Sequence, residues 1–337
     1  MIPALSNQTI AQRVRSTDGF RNFSHLDTQY KEWMHFCVFA HDINVLVNFS
    51  LVKERGELTP RLTLLVEQSG RWVGDIVSAE SAVIRPANLN FSARNCSLNF
   101  ENGIFHITGV IPEKEIAVNF TLTPIVSPIQ TPSVNAGSGK LRWLCIPRCD
   151  AEGNVTVGNI THQFKNAPGY HDHNWGSFEW GGNFSWRWGY FSFGSDLSVI
   201  VSRILDKQAH QVISDSFMVS SDNHLKDFRG HSVKHKQKGV LQLESNLTVP
   251  PIISLAIRSG NVSINREYEV KATNQEDALT LTFVPQSLAT IGMPSGEQGI
   301  ETSTISELSC TANLTGTLRG KAISCTGKGI WEATSRG

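Results

Sequence analysis

The chain has 337 residues, of which 40% are apolar, and its formal net charge at pH 7 is zero. This length suffices for one large or two ordinary domains with a real core. The balanced charge argues against electrostatic binding of nucleic acid or of an anionic membrane. No apolar run reaches the ~18 residues that a membrane-spanning helix needs. We therefore expect neither a nucleic-acid partner nor a membrane span.

Short runs of β-branched and aromatic residues, separated by glycine, asparagine and proline, follow one another along the chain. In chain order, clear examples occupy residues 45–52, 61–67, 97–110, 116–123, 197–205, 240–249, 265–272 and 279–284. Helical periodicity is nearly absent, and short helical turns are expected only near residues 5–15 and 285–291. The pattern predicts an all-β chain with the strand spacing of a sandwich or barrel.

Two segments about half the chain apart resemble each other. Residues 42–48 read DINVLVN and residues 196–202 read DLSVIVS, and each follows an aromatic-rich strand. The likeness favours a duplicated β-unit over a chance match. We expect an N-terminal domain of residues 1–165 and a C-terminal domain of residues 166–337, each a barrel-like sheet.

The triplet Asn-x-Ser/Thr is unusually frequent. It begins at twelve positions, where roughly four are expected from the composition: Asn7, Asn22, Asn48, Asn90, Asn95, Asn119, Asn154, Asn159, Asn183, Asn246, Asn261 and Asn313. The excess favours a eukaryotic secretory glycoprotein, in the ER lumen or secreted, whose leader has been removed. The alternatives are that Asn, Ser and Thr are simply common on β-hairpins, and that the protein is cytoplasmic.

The six cysteines indicate no metal site. Cys145 and Cys149 have a C-x3-C spacing, but no second pair completes a zinc site, so we expect no metal. Cys310 and Cys325 lie in neighbouring strand-like segments and could form a disulfide, which the sequence leaves open.

Residues 169–176 read GYHDHNWG and combine polar and aromatic side chains at the predicted domain junction. In an extended strand one face carries Tyr170, Asp172 and Asn174, and the other His171, His173 and Trp175. A carboxylate on an enclosed face must be paired or carry a raised pKa. Asp172 is then a candidate general acid or a group that fixes a histidine, and His173 a proton carrier or a donor to a substrate carbonyl. The alternative is structural, a hydrogen-bonded clasp joining the two halves, with Asp172 held by backbone N–H groups.

Further candidates lie on the flanking strands. Trp186 and Trp188 project on one face, where they either line a flat apolar cavity or fill the barrel interior. Arg203 shares a strand face with four apolar residues, and it either binds a substrate oxygen, pairs with Asp172 or Glu179, or reaches water at a strand end. Glu32 and Trp33 in the first half could likewise either bind substrate or serve a structural role. The same two alternatives apply to residues 331–332 near the C-terminus.

The motif GYHDHNWG, followed by W-x-W-G at residues 186–189, resembles the carotenoid 1,2-hydratase-like (AttH-like) group of double-lipocalin proteins. That group includes fungal lipocalin-like Diels–Alderases and kievitone-hydratase-like proteins. Residues 32–33, 143–147 with Gly153, and 327–332 fit the same pattern more loosely. The resemblance implies two lipocalin-like β-barrel or sandwich domains in tandem, few short helices, a hydrophobic pocket and no cofactor.

On this resemblance we expect a cofactor-independent cyclase of a hydrophobic polyketide or terpenoid intermediate in natural-product biosynthesis, of Diels–Alder or hetero-Diels–Alder type, with or without loss of water. One alternative is a hydratase that adds water to a C=C bond of an isoprenoid-type substrate, and another is a non-catalytic carrier of lipophiles. The expected partner is a hydrophobic small molecule, and the expected state a monomer or weak homodimer. The candidate catalytic residues are Asp172, His173 and His171, and the candidate substrate-binding residues are Tyr170, Asn174, Trp175, Trp186, Trp188, Arg203, Trp33 and Glu32.

Overall fold

The computed structural model describes residues 6–21, 30–54, 57–79, 82–85, 89–136, 139–178, 184–206, 210–222, 224–251, 261–295 and 301–336. Within these ranges the chain forms one α-helix, α1 (Asn7–Thr17), and two curled β-sheets. The prediction of an all-β chain with few short helices is confirmed. Among the described residues, no helix has the length and apolar character that crossing a membrane would require.

The first sheet has 13 strands in the order β4-β3-β2-β1-β13-β12-β9-β8-β7-β6-β5, and β10 and β11 pair with β12. A 3₁₀ turn at Pro112–Lys114 joins β8 to β9. Their bounds are β1 Tyr30–Phe39, β2 Ile43–Glu54, β3 Glu57–Gln68, β4 Arg71–Ser78, β5 Val83–Arg85, β6 Asn90–Ala93, β7 Cys96–Glu101, β8 Ile104–Ile111, β9 Ile116–Pro124, β10 Ile129–Gln130, β11 Val134–Ala136, β12 Gly139–Val157 and β13 Ile160–Ser177.

The second sheet has 11 strands in the order β17-β16-β15-β14-β24-β23-β22-β19-β20, and β21 pairs with both β18 and β22. A 3₁₀ turn at Gly230–Ser232 joins β17 to β18. Their bounds are β14 Phe184–Ser192, β15 Leu197–Asp206, β16 Val212–Ser221, β17 His224–Arg229, β18 Val233–Lys238, β19 Leu241–Val249, β20 Asn261–Ile264, β21 Glu267–Thr273, β22 Ala278–Ser295, β23 Glu301–Leu318 and β24 Lys321–Arg336.

The chain divides into two compact units. The first contains Met1–Ser69 and Val73–Phe178, and the second Gly70–Trp72 and Glu179–Gly337. The division falls after Phe178 rather than between residues 165 and 166, so the motif GYHDHNWG belongs to the first unit. The reason is that β13 is hydrogen-bonded to β1 on one side and to β12 on the other, and both of these strands precede it in the first sheet.

The predicted internal repeat is confirmed by the strand order. Each sheet contains a four-stranded meander whose first strand also pairs with the last strand of its own sheet, β1 with β13 and β14 with β24. The register defines equivalent rungs, a rung being residues paired across neighbouring strands. We align the two sheets at one rung, which contains Val45, Val38 and Gly169 in the first sheet. The matching rung of the second sheet contains Val199, Phe191 and Gly329. Counting along the strands from this rung makes Asp172 equivalent to Glu332 and Trp33 equivalent to Trp186.

One face of each sheet encloses an apolar core. The first core is rich in phenylalanine, and Phe36 packs edge-to-face on Phe49 and Phe105. The second core centres on the rings of Phe191, Tyr268, Phe283 and Trp331, with neighbouring centroids 4.7–5.6 Å apart. Such rings remove large apolar areas from water, which is the dominant favourable term in folding.

Helix α1 packs on the first core and positions the residue that follows it. Ser6 caps its first turn by accepting a hydrogen bond from the backbone N–H of Thr9 at 3.2 Å. Ile10 and Val14 are buried in the first core, and the helix ends where the N–H of Asp18 bonds to the carbonyl of Val14. The turn expected near residues 5–15 is therefore confirmed as a helix.

The helical turn expected near residues 285–291 is wrong, because these residues continue β22. The pairing of β22 with β23 shifts between Pro285 and Ser287. A bulge at this point accommodates a proline, which cannot donate to the ladder, so the strand passes through it.

Gly176, at the end of the motif, is required by a close approach between strands. A Cβ atom at this position would overlap the carbonyl oxygen of Lys140 on β12. We expect Gly176→Ala to lower the free energy of unfolding of the first unit by about 1–3 kcal/mol, the usual cost of overpacking. Equilibrium unfolding in urea measures this. The neighbouring Ser177→Ala is the control and should change stability by less than about 0.5 kcal/mol; equal stability of the two variants would contradict the close approach.

Candidate functional site

The motif is extended within β13, and its side chains alternate as predicted. His171, His173 and Trp175 face the first core, where the His171 ring stacks on Phe36 at 4.2 Å and Trp175 joins the core. Tyr170, Asp172 and Asn174 lie on the opposite face, where they are hydrogen-bonded to one another. Both faces are buried, so each polar group must find a partner within the protein.

On the core face, four side chains form the interior cluster: Asp18, Glu32, His171 and His173. The Asp18 carboxylate lies 2.8 Å from His171 Nε2 and 2.9 Å from His173 Nδ1. The other nitrogen of His173 lies 2.8 Å from Glu32 Oε1, and His171 Nδ1 lies 2.9 Å from the carbonyl oxygen of His35. Every imidazole nitrogen thus faces an acceptor, and the two imidazoles contact two carboxyl groups.

The electrostatics of the interior cluster favour fixed charges. Burial alone would raise the pKa of Asp18, but the charges and hydrogen bonds of His171 and His173 outweigh it and hold this pKa well below its usual range. Burial opposes the charged form of His173, but Asp18 and Glu32 raise its pKa above the ordinary value. Each imidazole and carboxyl group of the interior cluster has its partners within the protein. The geometry therefore favours a structural role for His171 and His173, a clasp that ties α1 to β13.

Two candidate substrate-binding residues are also engaged on this face. Glu32 accepts hydrogen bonds from the Tyr30 hydroxyl at 2.9 Å and from the backbone N–H of Arg21 at 3.0 Å. The Arg21 guanidinium lies 4.0 Å above the Trp175 ring, which is a cation–π contact. Glu32 and Trp175 are thus placed to hold the segment after α1 against the sheet.

On the opposite face, Asp172 is enclosed by neutral groups. Its carboxyl accepts hydrogen bonds from the Tyr170 hydroxyl at 2.8 Å and from the Asn174 amide at 2.7 Å, and it is only 4% exposed. Burial raises the pKa of Asp172 to about 6, although the Tyr170 hydrogen bond and the charge of His171 oppose the rise. This confirms the expectation that the carboxyl has either close partners or a raised pKa, since it has both. The partners are side chains rather than the backbone N–H groups expected for a clasp.

His35 lies directly opposite Asp172 across β1 and β13. Burial, together with the charge of His171, lowers the pKa of His35 to about 3, and its Nε2 lies 2.9 Å from Cys37 Sγ. The imidazole is therefore neutral at pH 7. We call these two side chains the Asp172–His35 pair. A carboxyl group of raised pKa beside an imidazole of lowered pKa is an arrangement in which the first acts as a proton donor and the second as a proton acceptor. Trp33, two rungs further and therefore on the same face, is opposite Asn174 and packs edge-on against Phe178, with ring centroids 6.1 Å apart.

In the second unit, Trp186 and Trp188 share a face of β14 with the carboxyl of Glu332. The Trp186 indole N–H donates to Glu332, and Trp188 is directly opposite it. Burial and the neighbouring charge of Glu332 raise the pKa of Glu307 well above its ordinary value. Phe191 and Trp331 lie in the second core, so the two tryptophans project from the other face of the sheet. The alternative that they fill the barrel interior is wrong; Trp331 and three other rings occupy it.

Among the described residues of its own unit, Arg203 pairs with Asp215, which the sequence did not suggest. The Nε atom of Arg203 lies 3.6 Å from Oδ2 of Asp215, the residue directly opposite it on β16. Asp172 belongs to the first unit, and Glu179 lies outside the described residues. Arg203 is 20% exposed at its side chain, so it does not reach fully into water.

The suggested disulfide is also wrong. All six cysteines are free thiols. The register of β23 and β24 pairs Cys310 with Gly329 and Cys325 with Leu314, so the two sulfurs are not opposed. Sequence reasoning missed Asp18, His35 and Glu307, because none belongs to a local motif and each acquires its neighbours only from the fold. Arg187 lies within the W-x-W-G motif, but its pairing with Arg203 follows only from the register.

No protein-family model and no curated protein matches this sequence. The fold matches solved structures over nearly the whole chain. A putative AttH protein from Nitrosomonas europaea has a TM-score of 0.64 at 12% identity, covering 99% of both chains. Kievitone hydratase from Nectria haematococca has a TM-score of 0.62 at 11% identity, covering 98% of this chain and 93% of that one. CghA has a TM-score of 0.64 at 14% identity, covering 91% and 88%.

At these identities the likeness shows a shared fold. It confirms, at the level of the fold, the resemblance to the double-lipocalin group inferred from the DHNWG motif. The two units are lipocalin-like β-domains in tandem.

Replacing Asp18 tests the structural role of the interior cluster. Asp18→Asn removes the carboxylate that His171 and His173 share and leaves only Glu32 beside His173, so we expect the unfolding free energy of the first unit to fall by about 3–5 kcal/mol at pH 6. Because the folded pKa of Asp18 lies below its unfolded value of about 3.9, its contribution is present above that pH and is lost as the pH falls below it. The difference between wild type and variant should therefore shrink in acid.

Urea unfolding between pH 3 and pH 7 measures both effects. Asp42→Asn is the matched control, because Asp42 is 54% exposed and has a single ion pair with His162. An Asp18→Asn protein as stable as the Asp42→Asn protein at pH 6 would show that the cluster does not hold the helix.

Proposed function

We propose that the protein is a cofactor-independent cyclase of a hydrophobic polyketide or terpenoid intermediate, with Asp172 as the proton donor. The Asp172–His35 pair carries this proposal, because burial moves the two pKa values apart, to about 6 and about 3. The shared fold supports the substrate class, since kievitone hydratase and CghA are folded in the same way. The proposal extends to natural-product biosynthesis by that analogy alone.

The chemistry follows from the two protonation states. The protonated Asp172 carboxyl donates its proton to a departing hydroxyl, which leaves as water. Neutral His35 accepts a proton from the adjacent carbon, and the new C=C bond completes a reactive diene. Transfer of a proton from His35 back to Asp172 restores both groups. Tyr170 and Asn174 fix the carboxyl by hydrogen bonds, so its orientation is set before substrate arrives.

Ring closure itself needs mostly a fixed conformation. Holding a flexible polyene with its reacting carbons near contact supplies up to about 7–11 kcal/mol in the best cases. Trp33, which lies on the Asp172 face of the first sheet and packs edge-on against Phe178, is the ring we assign to shaping that conformation. A hydrogen bond to a substrate carbonyl adds electronic activation.

A hydratase is the second candidate, and the neutral His35 favours it. In that reaction Asp172 protonates an alkene, while His35 removes a proton from the water that attacks the cation. Hydration in D₂O leaves deuterium bonded to carbon, whereas a cycloaddition does not. A panel of linear trienes, with and without an allylic hydroxyl, separates the two reactions by mass and by label. Binding of every member without turnover would instead indicate a carrier.

The Asp172 carboxyl should control the pH dependence. The acid must be protonated, so we expect kcat to rise as the pH falls from 8 and to reach half its maximum near pH 6. Asp172→Asn should lose about 10²–10⁴-fold in kcat and the pH dependence with it. Infrared spectroscopy checks the assignment without substrate: a buried carboxyl band should titrate near pH 6 in wild type and in Asp42→Asn but not in Asp172→Asn. A band that titrates near pH 4 would sink the acid role.

The indole of Trp33 should control product geometry. Exchanging Trp33 for phenylalanine keeps an aromatic ring on the Asp172 face but removes ring area. We expect a changed ratio of product stereoisomers as well as a lower rate, because the substrate is held less tightly. Chiral chromatography of the products measures the ratio. An unchanged ratio would remove this residue from the site.

A further inference from the structure

We infer that the second unit binds the carboxylate of an amphipathic organic acid between Arg187 and Arg203. The inference goes beyond the proposed function and does not rest on it. It starts from two arginines that the fold places side by side on a face where one expects apolar residues.

Arg187 on β14 and Arg203 on β15 are directly paired. Both lie on the face of the second core. Arg187 is four positions before Phe191 and Arg203 is two positions after Val201, so each arginine shares a strand face with a core residue. Like charges directly opposite each other on neighbouring strands are destabilising. Burial and the charge of Arg203 accordingly lower the pKa of Arg187. The fold keeps an unfavourable pair here.

The available negative charge does not balance the pair. Asp215, the next residue on the rung, has one oxygen 3.6 Å from Arg203 Nε and the other 2.8 Å from His235 Nε2. Arg187 forms no ion pair within the described part of the chain. Two guanidinium groups therefore share one carboxylate that is already hydrogen-bonded, and the site carries excess positive charge in a partly buried place.

The first unit shows how the same rung is satisfied there. Its equivalent residues are Met34 and Phe49, and the adjacent His173 binds the Asp18 carboxylate that follows α1. The first unit thus supplies a carboxylate from its own chain. The described residues of the second unit include no α-helix, and no side chain from a helix reaches Arg187. A carboxylate from outside the chain would complete the second site as Asp18 completes the first.

The surroundings define the ligand further. A guanidinium presents a planar fork that matches a carboxylate with two hydrogen bonds. Val201, two positions before Arg203 on the same face of β15, belongs to the second core, so apolar surface begins beside the charged pair. An anionic head with an apolar body fits both features better than an inorganic anion.

Calorimetric titration of the full chain with decanoate, decanol and acetate tests the proposal. We expect decanoate to bind, and decanol and acetate to bind at least about tenfold more weakly, because each lacks one of the two features. Arg187→Gln should weaken decanoate binding about tenfold or more. Equal affinity for decanoate and decanol, or an Arg187→Gln protein that binds decanoate like wild type, would overturn the site.

Two controls separate binding from folding and from catalysis. Arg229→Gln, which removes an exposed arginine paired with Asp227, should leave decanoate affinity unchanged. The Arg187→Gln protein without ligand should unfold at the same or a higher urea concentration, because a repulsion is removed; clear destabilisation would show that Arg187 is already neutralised by the protein and would contradict the proposal. Asp172→Asn should bind decanoate normally, so loss of the proposed catalysis leaves this inference standing.

Discussion

The structure of the first unit depends on one buried carboxylate. Asp18 follows α1 and lies between His171 and His173, with no exposure to solvent. Burying an ion costs several kcal/mol unless its partners are close and well oriented. The hydrogen bonds here meet that condition, and they join the N-terminal helix to the strand that carries the motif. The two histidines of GYHDHNWG, two positions apart on one strand, are explained by this single ion.

The other face of β13 carries Asp172 with Tyr170 and Asn174. Alternation separates Asp172 from the histidines on either side of it, so the sheet itself stands between a neutralised ion cluster and an isolated acid. The histidines still act on Asp172 through their charge, which opposes the rise in its pKa. Removing the ion cluster would therefore change the acidity of the opposite face as well as the stability of the barrel.

Local patterns in the sequence predicted the strands, the faces of the motif and the repeat. They could not predict the role of Asp18, because Asp18 and its partner His171 are separated by 153 residues in the sequence. Alternation showed that Trp186 and Trp188 share a face, but only the closure of the sheet decides which face encloses the core. The same limit applies to Arg203, whose partner Asp215 is set by the register of β15 with β16. Pro285 misled the reading because a bulge can carry a strand through proline.

The equivalence of Asp172 and Glu332 has a consequence for how each buried face carries charge. Both carboxyls are on the final strand of their sheets, on the face away from the core. The neighbours of Asp172 are a phenol and an amide, whereas Glu332 has a second acid, Glu307, directly opposite it. Two carboxyl groups so close cannot both ionise without repulsion, and Glu307 therefore keeps its proton at a pH at which an ordinary glutamate has lost it. The face of the second unit thus stores one proton between two acids, and the face of the first unit keeps its acid alone.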